Sequence, residues 1–193
     1  MIAIDFSMNS AGVVIGNTDK PEELKMLCFR QRKRDESLSK NIKIADYPID
    51  PKSNEERYFE VAFEIMEFIH KNTISSDKEV YIEDYSFGST GSVFNIAEST
   101  ATLKHLLWMS NYNINKISPK SIKKYATGSG NATKTDMYNT FIDKTGFDFN
   151  KVLIGPKKDI EKGDEKIPSP VSDLIDAYFL LQYGLHEQAN LHE

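Results

Sequence analysis

Apolar residues follow two periodicities along this chain. Short aliphatic runs at residues 1–5, 11–16, 24–29, 79–83 and 114–117 are bounded by polar or turn-forming residues and predict five strands. The link 6–10 is short and polar, so the first two runs are expected to pair as a hairpin. Between residues 55 and 71, Tyr58, Phe59, Ala62, Phe63, Ile65, Met66 and Ile69 recur at helical spacing. Residues 93–110 are mostly apolar or small and contain no Gly or Pro, which predicts a long, largely buried helix. Ser118-Pro119 opens a short helix through Tyr125. A TGSGN turn at 127–131 precedes a helix over 133–144 that stops near Gly146, and 171–185 is the final helix. Three stretches break the periodicity. Residues 30–54 are polar and punctuated by Pro48 and Pro51, 85–92 are rich in Gly and Ser, and 151–169 are charged with Gly155-Pro156, Gly163 and Pro168. All three predict loops. The order predicts one domain over 1–193, an α/β fold with a mixed sheet and helices on both faces.

Composition adds bounds to this picture. The chain has 193 residues, 39% of them hydrophobic, enough for one core. Its net charge of −5 does not by itself advertise a nucleic-acid partner, but the distribution does. No Asp or Glu occurs from Ser99 to Thr135, where Lys104, Lys116, Lys120, Lys123, Lys124 and Lys134 all fall. Arg30, Arg32, Lys33 and Arg34 form a second basic cluster. Segregation of this kind suits a polyanion, although each cluster alone also suits a solvated lysine face. Cys28 is the only cysteine, which excludes an intrachain disulfide and a cysteine-based zinc site and fits a cytoplasmic protein. No secretory signal and no apolar run of the roughly 18 residues of a membrane span is present.

Four acids carry the candidate chemistry. Asp5 follows the run Met1-Ile2-Ala3-Ile4, and Glu83 ends Val80-Tyr81-Ile82. Strand-end acids at the carboxyl edge of an α/β sheet often face the site crevice. Asp84 competes with Glu83, but a one-residue step turns the side chain to the other sheet face, which favours Glu83. Asp173 and Asp176, three residues apart, share a helix face, with Ser172 as the expected N-cap. A first-turn position accounts for Asp173 through the helix dipole, whereas Asp176 lies in an apolar helix where a carboxylate is costly unless paired or metal-bound. Together the four can form an oxygen-only cage for two Mg²⁺ ions, which can clamp a phosphodiester for attack by water. No Walker loop is present, and His70, His105, His186 and His192 show no metal-ligand spacing.

The arrangement resembles the RuvC family of Holliday-junction resolvases, within the RNase H-like superfamily. Ile2-Ala3-Ile4-Asp5-Phe6-Ser7 through Val13 is similar to the family's first strand and catalytic aspartate. Residues 80–85 are similar to its central strand with the catalytic glutamate. The stretch PKSIKKYATGSGNATKTDM at 119–137 resembles its basic turn and helix, and 172–177 its paired aspartates. The resemblance implies an RNase H-like fold with a mixed five-stranded sheet. It also implies that Asp5, Glu83, Asp173 and Asp176 hold two Mg²⁺, with Mn²⁺ able to substitute. Lys134, with Lys123, would assist catalysis and DNA binding. Lys116, Lys120 and Lys124 would grip the backbone, and Tyr85 and Phe87 would stack on or wedge between bases; apart from the resemblance, the basic cluster Arg30–Arg34 is expected to touch a DNA arm. The implied partners are branched DNA and a second copy of the chain, with residues 93–110 near the dimer contact. Asp-Phe-Ser replaces the family's Asp-Pro-Gly, and the insertion-like segments near 30–54 and 151–170 point to a phage or mobile-element member.

Other readings remain open at this point. A related RNase H-like nuclease acting on RNA, a hybrid or other branched DNA would use similar carboxylates. A catalytically silent junction-binding protein would need no metal. An actin-like kinase fragment also begins with a strand, an aspartate and a hairpin, but it needs glycine-rich phosphate loops and a second domain.

Overall fold

The computed structural model describes residues 1–6, 10–30, 39–48, 51–74, 76, 78–84, 93–153 and 167–191, with the Arg30 side chain excepted. The strands are β1 (Ile2–Phe6), β2 (Ala11–Ile15), β3 (Lys25–Arg30), β4 (Ile42–Asp46), β5 (Glu79–Glu83) and β6 (Asn113–Ile117). The α-helices are α1 (Asn54–Asn72), α2 (Val93–Met109), α3 (Pro119–Thr127), α4 (Lys134–Thr145), α5 (Phe149–Leu153) and α6 (Val171–Asn190). The strands form one mixed sheet in the order β4-β3-β2-β1-β5-β6. β2 is antiparallel to both β1 and β3, whereas β5 is parallel to β1 and β6, and β4 is parallel to β3.

Side-chain alternation along the strands divides the core in two. Ile2, Ile4, Val13, Val80 and Ile82 pack with residues of α1 and α2 on one face. Met1, Ala3, Val14 and Tyr81 pack with residues of α3, α4 and α6 on the other. The same alternation carries Asp5 and Glu83, the next odd positions, to the α6 face. Capping sets the helix starts: Ser53 accepts from the Glu56 amide at 3.2 Å to begin α1, and Thr133 and Asp136 form a reciprocal capping box on α4. Gly128, with φ of 85°, and Gly146, with φ of 67°, end α3 and α4 in left-handed conformations.

Four expectations change. The sheet has six strands, because Ile42–Asp46 within the expected 30–54 loop pairs with β3. Ile42 and Ala45 are buried on opposite faces of that strand, a short signal outweighed in sequence by charges and prolines. Helix α2 is not largely buried: Phe94 is 84% exposed, Trp108 69% and Met109 63%, since an apolar composition does not distinguish a core from a contact surface. The expected loop from residue 151 begins inside α5. Finally, Pro170 rather than Ser172 occupies the N-cap of α6, which leaves the Ser172 hydroxyl for other bonds. The expected loop at 85–92 lies outside the described residues.

Candidate active site

Strands β1 and β5 are adjacent and parallel, with Ile4 beside Ile82, so Asp5 and Glu83 emerge side by side at the carboxyl edge of the sheet. Helix α6 starts directly above them. A Cβ at Gly12, the partner of Asp5 in β2, would lie 2.3 Å from the Asp173 carbonyl oxygen. Only a glycine lets the first turn of α6 settle this closely on the hairpin. Asp173 and Asp176 thereby join Asp5 and Glu83 in a cavity of about 440 Å³, also lined by Ser10, Lys123, Lys134, Ser169 and Ser172. Asp84 is not in that lining, as strand alternation requires.

Hydrogen bonds organise the rim. Lys134 Nζ donates to Ser172 Oγ at 3.3 Å, and Ser172 Oγ donates to Asp173 Oδ1 at 3.2 Å. Ser169 Oγ donates to Asp173 Oδ2 in a short contact. One carboxylate is thus held by two hydroxyls, one of them tied to a lysine. Sequence reasoning missed Ser10 and Ser169 and gave Ser172 only a capping role. Ser169 and Ser172 lie within four residues of Asp173, but a serine just before a helix reads first as a capping residue, and Ser10 meets its cavity neighbours only through the fold.

The electrostatics match a cluster of crowded acids. Burial, and then the charges of Asp176, Glu83 and Asp173, raise the Asp5 carboxyl well above its ordinary range, against a lowering by Lys134. Glu83 is pushed up to about 7, first by burial and then by Asp176, with Lys123 and Lys134 opposing. Asp176 is pushed up to about 6 by burial, with Asp173 adding to the rise and Lys134 and Lys123 opposing it. The cavity therefore concentrates negative charge that its two lysines only partly offset. Among the described residues, no three acidic, histidine or cysteine side chains form a ready-made cage around one point. The donor set is nonetheless oxygen-only and only partly compensated, which fits a hard divalent cation that keeps several waters and takes one or two carboxylates.

The remaining predicted residues lie outside this cavity. Lys116 on β6 and Lys120 and Lys124 on α3 are exposed, while Lys123 on the same helix lines the cavity. Arg30 ends β3. Arg32, Lys33, Arg34, Tyr85 and Phe87 lie outside the described residues.

No protein-family model matches the chain, and no curated protein matches it. Solved structures do. Thermus thermophilus RuvC superposes with a TM-score of 0.53 at 15% identity, covering 98% of this chain and 97% of that one. T. thermophilus RuvC in complex with a Holliday junction substrate gives 0.58 at 14% identity, covering 98% and 96%. The chain has the RuvC fold. The RNase H-like architecture expected from sequence is therefore present, with one strand more than anticipated. Neither neighbour supports the phage-type origin. No helix among the described residues is long and apolar enough to cross a membrane.

Proposed function

We propose that this protein is a structure-selective DNA endonuclease that resolves four-way junctions by paired symmetric nicks, leaving 5′-phosphate ends. The observation that carries the reading is the convergence of Asp5, Glu83, Asp173 and Asp176 with Lys123 and Lys134 in one cavity of a RuvC fold. A solved neighbour bound to a Holliday junction adds support. Asp5, Glu83, Asp173 and Asp176 would hold two Mg²⁺, for which Mn²⁺ can substitute. When bound, the ions polarise the phosphodiester and make water acidic enough to attack it. The chain's own residues do the rest. Lys134, steadied by Ser172, places a cation at the rim to offset charge developing on the phosphate, and Lys123 adds a second from α3. Ser169 and Ser172 fix Asp173 so that it meets a ligand without reorganising. Lys116, Lys120 and Lys124 would hold the DNA backbone.

Symmetric nicking of two strands implies a twofold dimer. Phe94, Ala101 and Trp108 recur at seven-residue spacing on α2, share one exposed face, and form the apolar stripe that such a contact needs.

Cleavage of a labelled four-way junction, beside a matched linear duplex and an RNA–DNA hybrid, tests the reading in Mg²⁺ for wild type and Asp176→Asn. Paired nicks in the junction alone, lost in the variant, are expected. Cutting of the hybrid, or equal cutting of all three, would assign a broader RNase H-like nuclease. Tight junction binding without cutting would assign a structural role.

A further inference from the structure

A second concave surface lies away from the acidic cavity. It is a groove of about 670 Å³ between β4 and α1, lined by Phe29, Ala45, Tyr47 and Val61 at its floor. Phe59 and Phe63 form one wall. Their rings stack at 5.8 Å with 23° between planes, yet they are 51% and 50% exposed. Stacked aromatics left half in water beside a groove of this volume are a binding feature rather than a packing one. The rim is acidic. Asp46, Glu60 and Glu64 line it against one lysine, Lys43, which is already paired with Glu64 at 2.5 Å.

We propose that this groove docks an extended segment of a partner protein in which apolar side chains alternate with Lys or Arg. Three observations select that occupant. β4 is the outer strand of the sheet and has β3 as its only strand neighbour among the described residues, so an extended segment can add along its outer edge. The apolar floor and the aromatic wall accept every second side chain of such a segment. The acidic rim complements its basic positions and repels a nucleic acid. A second copy is disfavoured as well, because a twofold contact through this patch would set Asp46, Glu60 and Glu64 against one another.

The groove belongs to the α1 face, whereas the acidic cavity opens on the α6 face, and β4 lies three strand positions from β1, roughly 14 Å at ordinary strand spacing. A segment docked here leaves the cavity open and tethers the chain to its partner. The inference stands apart from the nuclease reading and does not depend on it.

Short random peptides displayed on phage and selected against the full chain provide the test. Enriched peptides should alternate apolar with basic residues. Their affinity should fall about tenfold or more for Phe59→Ser/Phe63→Ser and for Glu60→Lys, the loss typical of removing an anchor or reversing a complementary charge. Amide shifts on binding should centre on Ile42–Asp46 and the α1 wall. Glu60 is exposed, so its variant leaves the core intact and separates impaired docking from impaired folding. Enrichment of acidic peptides, retention of affinity by both variants, or no enrichment over the double variant would overturn the proposal. So would a concentration-dependent dimer of the chain that Phe63→Ser dissolves, which would make a second copy the occupant.

Discussion

The site's acids hold the fold at a disadvantage. A carboxyl whose folded pKa lies above its unfolded value favours folding while protonated and opposes it once ionised. For Glu83 and Asp176 that stabilisation is complete below their ordinary values, 4.5 and 3.8, and is lost as pH rises through about 7 and about 6. Calorimetric melts in chelator should therefore show a deficit that grows from about pH 4 to about pH 8, and Asp176→Asn should remove much of it. At pH 8 the variant should be more stable than wild type by on the order of 2 kcal/mol, while cleavage is abolished. A variant less stable than wild type at every pH would mean that Asp176 supports the fold instead. Saturating Mg²⁺ should raise the wild-type melting temperature and leave the variant's nearly unchanged. Ser172 works through its neighbours. Ser172→Ala takes the acceptor from Lys134 and one donor from Asp173, and should lower the cleavage rate constant about tenfold, one ordinary hydrogen bond, with little change in melting temperature. Equal rates for variant and wild type would show that Lys134 needs no anchor.

At the scale of elements, the site depends on how closely α6 sits on the β1–β2 hairpin. Gly12→Ala forces a methyl into the Asp173 carbonyl, backbone against backbone, where neither side can rotate away. It should cost about 3 kcal/mol and weaken divalent-ion binding measured by titration calorimetry, because the displaced turn carries both aspartates. Unchanged ion affinity in a folded variant would separate the packing from the site. This dependence was only partly legible in the sequence. β1 and β5 could be read because their apolar runs end on an acid, and alternation then chose Glu83 over Asp84. α6 could be read because acids three residues apart interrupt an apolar helix. Gly12 gave no warning, since its reason is a contact with residue 173. β4 was hidden because Ile42 and Ile44 face one side of the sheet and Ala45 the other, so its apolar positions do not follow a single alternating stripe. The exposed face of α2 was hidden because burial depends on which neighbours arrive, and only Leu103 and Leu107 among its aliphatic residues are fully buried.

Charge is the property that belongs to the whole molecule. The net value of −5 conceals a separation. Four acids face inward to one cavity, α1 carries Glu55, Glu56, Glu60, Glu64 and Glu67, and the acid-free stretch 99–135 places all its lysines but Lys104 of α2 around the cavity mouth and on the exposed surface of β6 and α3. A negatively charged chain can approach DNA only if its positive surface acts as a unit, so affinity should depend steeply on salt. Neutralising Lys116, Lys120 and Lys124 together to Gln should flatten the slope of log affinity against log salt by up to about three, roughly one for each phosphate no longer neutralised. The cleavage rate of saturated complexes should hold. Lys134→Gln should do the reverse, lowering the rate in saturated complexes with at most about one unit of slope, because its ammonium lines the cavity and bonds Ser172 beside the acids. Junction binding in increasing salt, paired with single-turnover cleavage, separates the two. An unchanged slope in the triple variant would move the DNA to another face of the molecule, and the acidic surface of α1 leaves few faces for it to occupy.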